Sequence, residues 1–134
     1  MTTGEQTQTS AILHELYAAF ARGDIPAVLA AFDPQIVWTE TAGGPFAGTY
    51  TGPNAVLENV FGPLGSEWDG FAVQPEAYVC EGDAAVVIGS YRGTYRPTGR
   101  TLQARFAHAW QLRDGRAARY EQITDTARWN DTQR

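Results

Sequence analysis

Apolar positions recur every three or four residues from Ile12 to Phe32, which predicts two helices ahead of any strand. In the first, Ile12, Leu13, Leu16, Tyr17 and Phe20 fall on one face; Ser10 suits its N-cap and Gly23 its stop. The second follows Asp24, carries Pro26 in its first turn, buries Val28, Leu29 and Phe32, and ends at Asp33-Pro34. The period then drops to two. Ile36, Trp38 and Glu40 share one face of a strand, with Val37 and Thr39 on the other. Residues 41 to 52 hold four glycines and one proline, a loop able to cover a site. Gly52-Pro53 opens a third helix that carries Val56, Leu57, Val60 and Phe61 and stops at Gly62-Pro63.

Beyond that point the pattern is that of a sheet. Strand-like runs cover about 70 to 80, 84 to 96, 101 to 113 and 116 to 125, and Asp114-Gly115 is a strong hairpin signal. Helices first and an antiparallel meander afterwards predict an α+β domain with helices on one face of the sheet. Residues 1 to 9 are polar and read as a disordered tail, 10 to 126 as a single domain, and 127 to 134 as a C-terminal tail.

The 134 residues are 43% apolar, 12% aromatic and 19% charged, the profile of an ordinary soluble globular domain. A net charge of −5 gives no basic footprint for nucleic acid or an anionic membrane. Cys80 stands alone, which excludes an intrachain disulfide and suits a reducing cytoplasm. No apolar run approaches membrane-spanning length, and the N-terminus lacks the apolar core of a signal peptide. The expectation is a cytoplasmic protein without a membrane or nucleic-acid partner.

Glu40 is the first candidate for chemistry. A carboxylate beside a Trp at the end of a half-buried strand acquires a raised pKa if it faces a cavity, and stays ordinary if it faces water. On the strand from 101 to 113, Phe106, His108, Trp110 and Leu112 share a face, so His108 sits between aromatics as a packing residue or a proton carrier. Tyr120, Gln122 and Thr124 form a polar stripe on the last strand, suited to hold a substrate if that face is the inner one. Asp125 either ends the strand or takes part in catalysis. Tyr17 can aim its hydroxyl inward or pack in the core, and Tyr50 can line the mouth of a site. Tyr91 and Tyr95 lie opposite Arg92 and Arg96, a surface suited to dimerisation or to solvent. The two histidines lie far apart in the sequence and make no metal motif, and no Walker, dinucleotide or nucleophile-elbow motif is present. Cofactor-free acid–base chemistry, without a metal, is the expectation.

Several segments resemble the SnoaL-like branch of the nuclear transport factor 2-like superfamily. They are Tyr17 to Asp24, Trp38-Thr39-Glu40, Gly48 to Pro53, Phe106 to Trp110 with Asp114-Gly115, and Gln122 to Thr126. The resemblance spans about residues 10 to 126 and implies a cystatin-like open cone: N-terminal helices on a curved antiparallel sheet that encloses one pocket. It also implies a homodimer through the sheet and a small apolar ligand, with isomerases, cyclases, hydrolases and non-catalytic binders all among the relatives. The ketosteroid isomerases of the superfamily use an Asp base with a Tyr and a protonated Asp as oxyanion donors. By position Glu40 falls at the base, whereas Leu16 and Ala107 occupy the places of the two donors. An acidic residue late in the sheet, which the cyclases are thought to use, has Asp125 as its nearest counterpart. The expected site is thus Glu40, Asp125 and His108 as catalytic groups, with Tyr17, Trp38, Tyr50, Tyr120 and Gln122 around the substrate.

Overall fold

Helix α1 runs Thr3–Ala21 in the computed structural model, which describes residues 3–134. It starts well before Ser10, so the expected tail is helical over 3 to 9, while residues 1 and 2 lie outside the described part. The physical reason is long-range hydrogen bonding rather than apolar periodicity. The Thr9 hydroxyl, buried, donates to the Gly82 carbonyl at 2.7 Å, and the Gln6 amide reaches the Cys80 carbonyl at 3.4 Å. At the other end Gly23 takes φ +75°, a left-handed conformation that turns the chain out of the helix. Asp24 then caps α2 (Ile25–Ala30) by accepting from the Ala27 N–H at 3.2 Å. Phe32 does not close that helix but opens strand β1 (Phe32–Glu40).

The stretch read as one loop contains strand β2 (Gly48–Thr51), paired antiparallel to β1. Helix α3 (Pro53–Val56) runs into a π-helical turn (Leu57–Phe61) and then α4 (Gly62–Glu67). Pro63 therefore does not stop the helix. It sits in the first turn of α4, where its missing N–H costs little, and the wide π turn ahead of it spares the usual ladder. Val60 and Phe61 of that turn point into the core.

Strands β3 (Trp68–Glu81), β4 (Ala84–Tyr95), β5 (Arg100–Arg113) and β6 (Arg116–Thr124) complete a six-stranded sheet in the order β2-β1-β6-β5-β4-β3. The four long strands form the expected antiparallel meander; β1 joins its edge parallel to β6. The sheet is curved where β3 bulges between Pro75 and Ala77, beside Gly89 of β4. A Cβ at Gly89 would lie 2.2 Å from the Gln74 carbonyl oxygen and 2.7 Å from the Phe106 ring, so only glycine allows this approach. The concave face takes α1, α2 and the α3–α4 segment. Leu13, Leu16, Val28, Ile36, Val56 and Val87 meet there.

Residues 127 to 134 are not a tail. Helix α5 (Thr126–Asp131) brings Trp129 to 2% exposure against Trp68, Phe71, Tyr91 and Phe46, and Thr132 is equally buried. One large indole supplies most of the apolar area that docks this short, largely polar helix.

Candidate functional site

The period-two pattern of β1 turns Ile36, Trp38 and Glu40 to the concave side, and Glu40 is 4% exposed at its deep end. The Trp38 indole N–H donates to Glu40 Oε2 at 2.7 Å. The Trp38 ring in turn stacks on Tyr120 of β6 with centroids 3.6 Å apart, as their cross-strand pairing allows. Among the described residues no cationic side chain lines the cavity. Burial pushes the Glu40 carboxyl up to about 7 against the weaker opposing pull of the Trp38 hydrogen bond. Among the described residues Glu40 Oε1 has no hydrogen-bond partner. Every fully buried side-chain polar atom among the described residues has one, so Oε1 opens into free space.

A polar chain crosses the cone on the neighbouring strands. The Trp110 indole N–H donates to the Tyr17 hydroxyl at 3.0 Å, and that hydroxyl lies 2.6 Å from His108 Nδ1. On the far side His108 Nε2 meets the Tyr91 hydroxyl at 2.5 Å. Gln122 donates to the same Tyr91 oxygen at 2.9 Å, while its own carbonyl oxygen accepts from the Thr41 N–H and hydroxyl. Burial holds His108 well below its usual pKa, so the ring is neutral, and raises the Tyr17, Tyr91 and Tyr120 hydroxyls. Tyr120 lines the cavity beside them, its ring 5.0 Å from that of His108 and 4.7 Å from that of Trp110.

The free space between these groups is about 50 Å³. That holds a few water molecules, since one needs about 10–15 Å³ on this measure. Its walls are Leu16, Phe20, Val60, Phe61, Leu64 and Phe71 on the apolar side, closed by Phe46 and Trp129. The loop carrying Phe46 is pinned at three places: Thr41 to Gln122, Tyr50 OH to the Phe46 carbonyl at 2.7 Å, and the Asn130 amide to the Gly43 carbonyl at 2.8 Å.

Of the sequence-derived candidates, Glu40, His108, Tyr17, Trp38, Tyr120 and Gln122 come together around this space. Asp125 does not. It is exposed, caps α5 by accepting from the Arg128 N–H at 3.3 Å, and pairs with the Arg128 guanidinium at 3.3 Å. Tyr50 stands behind the wall, where its hydroxyl fixes the backbone of Phe46 instead of lining the site. Tyr91 is moved the other way. Read as part of an exterior face, it is 3% exposed and central to the polar chain, while Arg92 beside it faces out. The alternation of Tyr91 with Arg92 carried that signal, since a basic neighbour marks the opposite face as the inner one. Phe46 and Trp129 had no local signal beyond being large aromatics in polar surroundings. Among the described residues no three His, Cys, Asp or Glu side chains gather in a metal-binding group.

A cone of this shape, with one acid and a hydroxyl–imidazole chain inside, defines a nuclear transport factor 2-like, cystatin-like α+β protein. A nuclear transport factor 2-like protein from Burkholderia thailandensis matches it at 40% identity with a TM-score of 0.90, over 94% of this chain and 97% of that one. The SnoaL-like domain family matches residues 13–120, and the chain belongs to that family. TerC, co-crystallised with polyporic acid, is 27% identical with a TM-score of 0.84, over 93% and 97% of the two chains. A candidate polyketide cyclase from Xanthomonas campestris shares the fold alone, at 17% identity and a TM-score of 0.83 over 96% and 98%. No curated protein matches the chain.

Proposed function

We propose that the protein is an acid–base enzyme acting beside a carbonyl, or at a ring, of a small apolar oxygenated molecule, with Glu40 as the base. The observation that carries this reading is the state of Glu40: buried, unpaired by any cation, anchored through one oxygen to Trp38 and open to the cavity through the other. A carboxyl raised to about 7 accepts protons from weak acids far better than an ordinary carboxylate, yet is half ionised at neutral pH. In the proposed step Glu40 takes a proton from the carbon next to the carbonyl. The C–H pair forms a C=C bond, and the carbonyl π pair moves to oxygen as an enolate. Glu40 then returns the proton to the same or a conjugated carbon. A relative crystallised with polyporic acid supports an oxygenated organic ligand. The test is NMR-detected exchange of α-hydrogens in D₂O across a panel of apolar ketones. Wild type accelerates exchange for some members and Glu40→Gln does not; equal rates in both proteins would sink the base assignment.

The narrow interior favours a second reading, a packed scaffold or non-catalytic binder in the same fold, because 50 Å³ is far below the roughly 300–1,000 Å³ of most ligand sites. Calorimetric titration with the ketones separates the two: the scaffold takes up none, the binder takes them up without exchange. A homodimer through the convex sheet face belongs to the same proposal. Val79 at 61% and Ile123 at 56% exposure lie on that face, with Val86 of β4 set between Val79 and Ala109. Sedimentation equilibrium of Ile123→Arg beside wild type tests it.

A further inference from the structure

The outer face of the sheet carries a hollow of its own. Alternation turns Tyr91 and Ala104 inward, so Ser90 and Arg92 of β4 and Gln103 and Arg105 of β5 stand side by side on the convex face. Ser90 pairs with Arg105 and Arg92 with Gln103, which sets the two arginines on one diagonal, roughly 7–8 Å apart. Gln74 of β3 flanks them on one side, and Asp125 and Arg128 at the start of α5 on the other. Together they bound an open groove of about 500 Å³, against about 50 Å³ inside the cone. Most ligand sites hold roughly 300–1,000 Å³, and the groove lies within that range.

Three of the ten basic residues of a chain with net charge −5 meet in this groove. Like charges on neighbouring strands repel, so the cluster costs stability unless something negative fills it. The chain's own acids do so only in part. Arg105 Nη1 donates to Glu76 at 2.6 Å and to the Ser90 hydroxyl at 3.1 Å. Arg128 pairs its Nε with Asp125 at 3.3 Å and donates from Nη1 to the Gln103 carbonyl at 3.2 Å. Among the described residues the Arg92 guanidinium has no partner, nor do Nε and Nη2 of Arg105 or the side-chain amides of Gln74 and Gln103. Arg105 and Arg128 are mostly exposed, and exposed ion pairs are worth little, so a ligand can draw both guanidiniums from their acids. We propose that the groove binds a small organic anion, a carboxylate or a phosphate ester. Arg92 and Arg105 grip its charged oxygens, Arg128 closes the end, and the amides of Gln74 and Gln103 take its remaining polar groups. A planar guanidinium fork matches two oxygens of either anion. Strands β4 and β5 separate this groove from the cavity that holds Glu40, so either site stands without the other.

Calorimetry at low ionic strength, where exposed charges are least screened, tests the site with succinate, glycerol phosphate and uncharged glycerol. Wild type should bind one or both anions at a single site per chain and leave glycerol unbound; the anion taken up tells carboxylate from phosphate. Arg92→Gln should weaken that binding roughly tenfold, the loss of about one charge-assisted contact, and Arg119→Gln should leave it within about twofold. Arg119 is the control because it is exposed and, among the described residues, free of partners, yet lies outside the groove. Failure of both anions to bind wild type overturns the site. Equal weakening by the two variants also overturns it, since diffuse attraction then accounts for the binding. Sedimentation equilibrium of Arg92→Gln reads the other occupant. Anion affinity left untouched while a wild-type dimer dissociates would give the groove to a second copy of the chain and overturn the ligand site.

Discussion

Replacing Glu40 by Gln removes its ionisation while keeping the side-chain shape and the oxygen that accepts from Trp38 Nε1. The folded carboxyl, at about 7, stands well above its ordinary value of 4.5. At about 1.4 kcal/mol per unit the ionised group costs the fold on the order of 3 kcal/mol. The sign follows from proton binding. Between pH 4.5 and about 7 the folded protein holds a proton that the unfolded chain has released, so wild-type stability falls as pH rises through that window. Above it the whole cost is present, and below 4.5 it vanishes. His108 acts the opposite way: its depressed folded pKa means stability is lost as pH drops below the ordinary 6.5. That contribution is common to both proteins and cancels in their difference. Urea unfolding at pH 8 and at pH 5.5, above the pI of 4.9, isolates Glu40. The gain in stability from Glu40→Gln should be about 2 kcal/mol larger at pH 8 than at pH 5.5, by the same linkage. A gain that is equal at both pH values would refute the claim that Glu40 is buried without a charge partner.

Two substitutions test the frame around the site. Gly89→Ala drives a methyl into the Gln74 carbonyl and the Phe106 ring and should cost about 1–3 kcal/mol by urea unfolding, whereas a neutral result would mean the β3 bulge yields freely. Trp129→Ala should cost about 3–5 kcal/mol, a loss that no detachable tail shows, and should loosen the loop that Asn130 pins through Gly43. Amide exchange at residues 41 to 47 reads that loosening directly.

The inward turn of Glu40 was legible because β1 alternates cleanly, and His108 and Gln122 followed from the same period on β5 and β6. What alternation does not say is which face is concave. Strand β4 offers tyrosines on one side and arginines on the other, a pattern that suits a second subunit or solvent as well as an inner face. The ends of the domain were hidden for a different reason. The first turns of α1 are held by Thr9 and Gln6 reaching the β3–β4 hairpin, and α5 by one indole, and neither leaves a periodic trace. Strand β2 was hidden by Gly48 and by the glycines on either side of it. The parallel seam between β1 and β6 was invisible, because local pattern carries no information about a partner with four strands in between.

That seam has a kinetic consequence. Phe32 pairs with Ala117 and Trp38 with Tyr120, so the edge of β1 away from β2 stays bare until β3, β4, β5 and β6 have been made. Through that interval Glu40 is an ordinary hydrated carboxylate, charged and harmless. Its raised pKa needs the burial that the pairing with β6 completes. A chain released short of β6 therefore carries the acid without the wall that Tyr120 and Gln122 add around it.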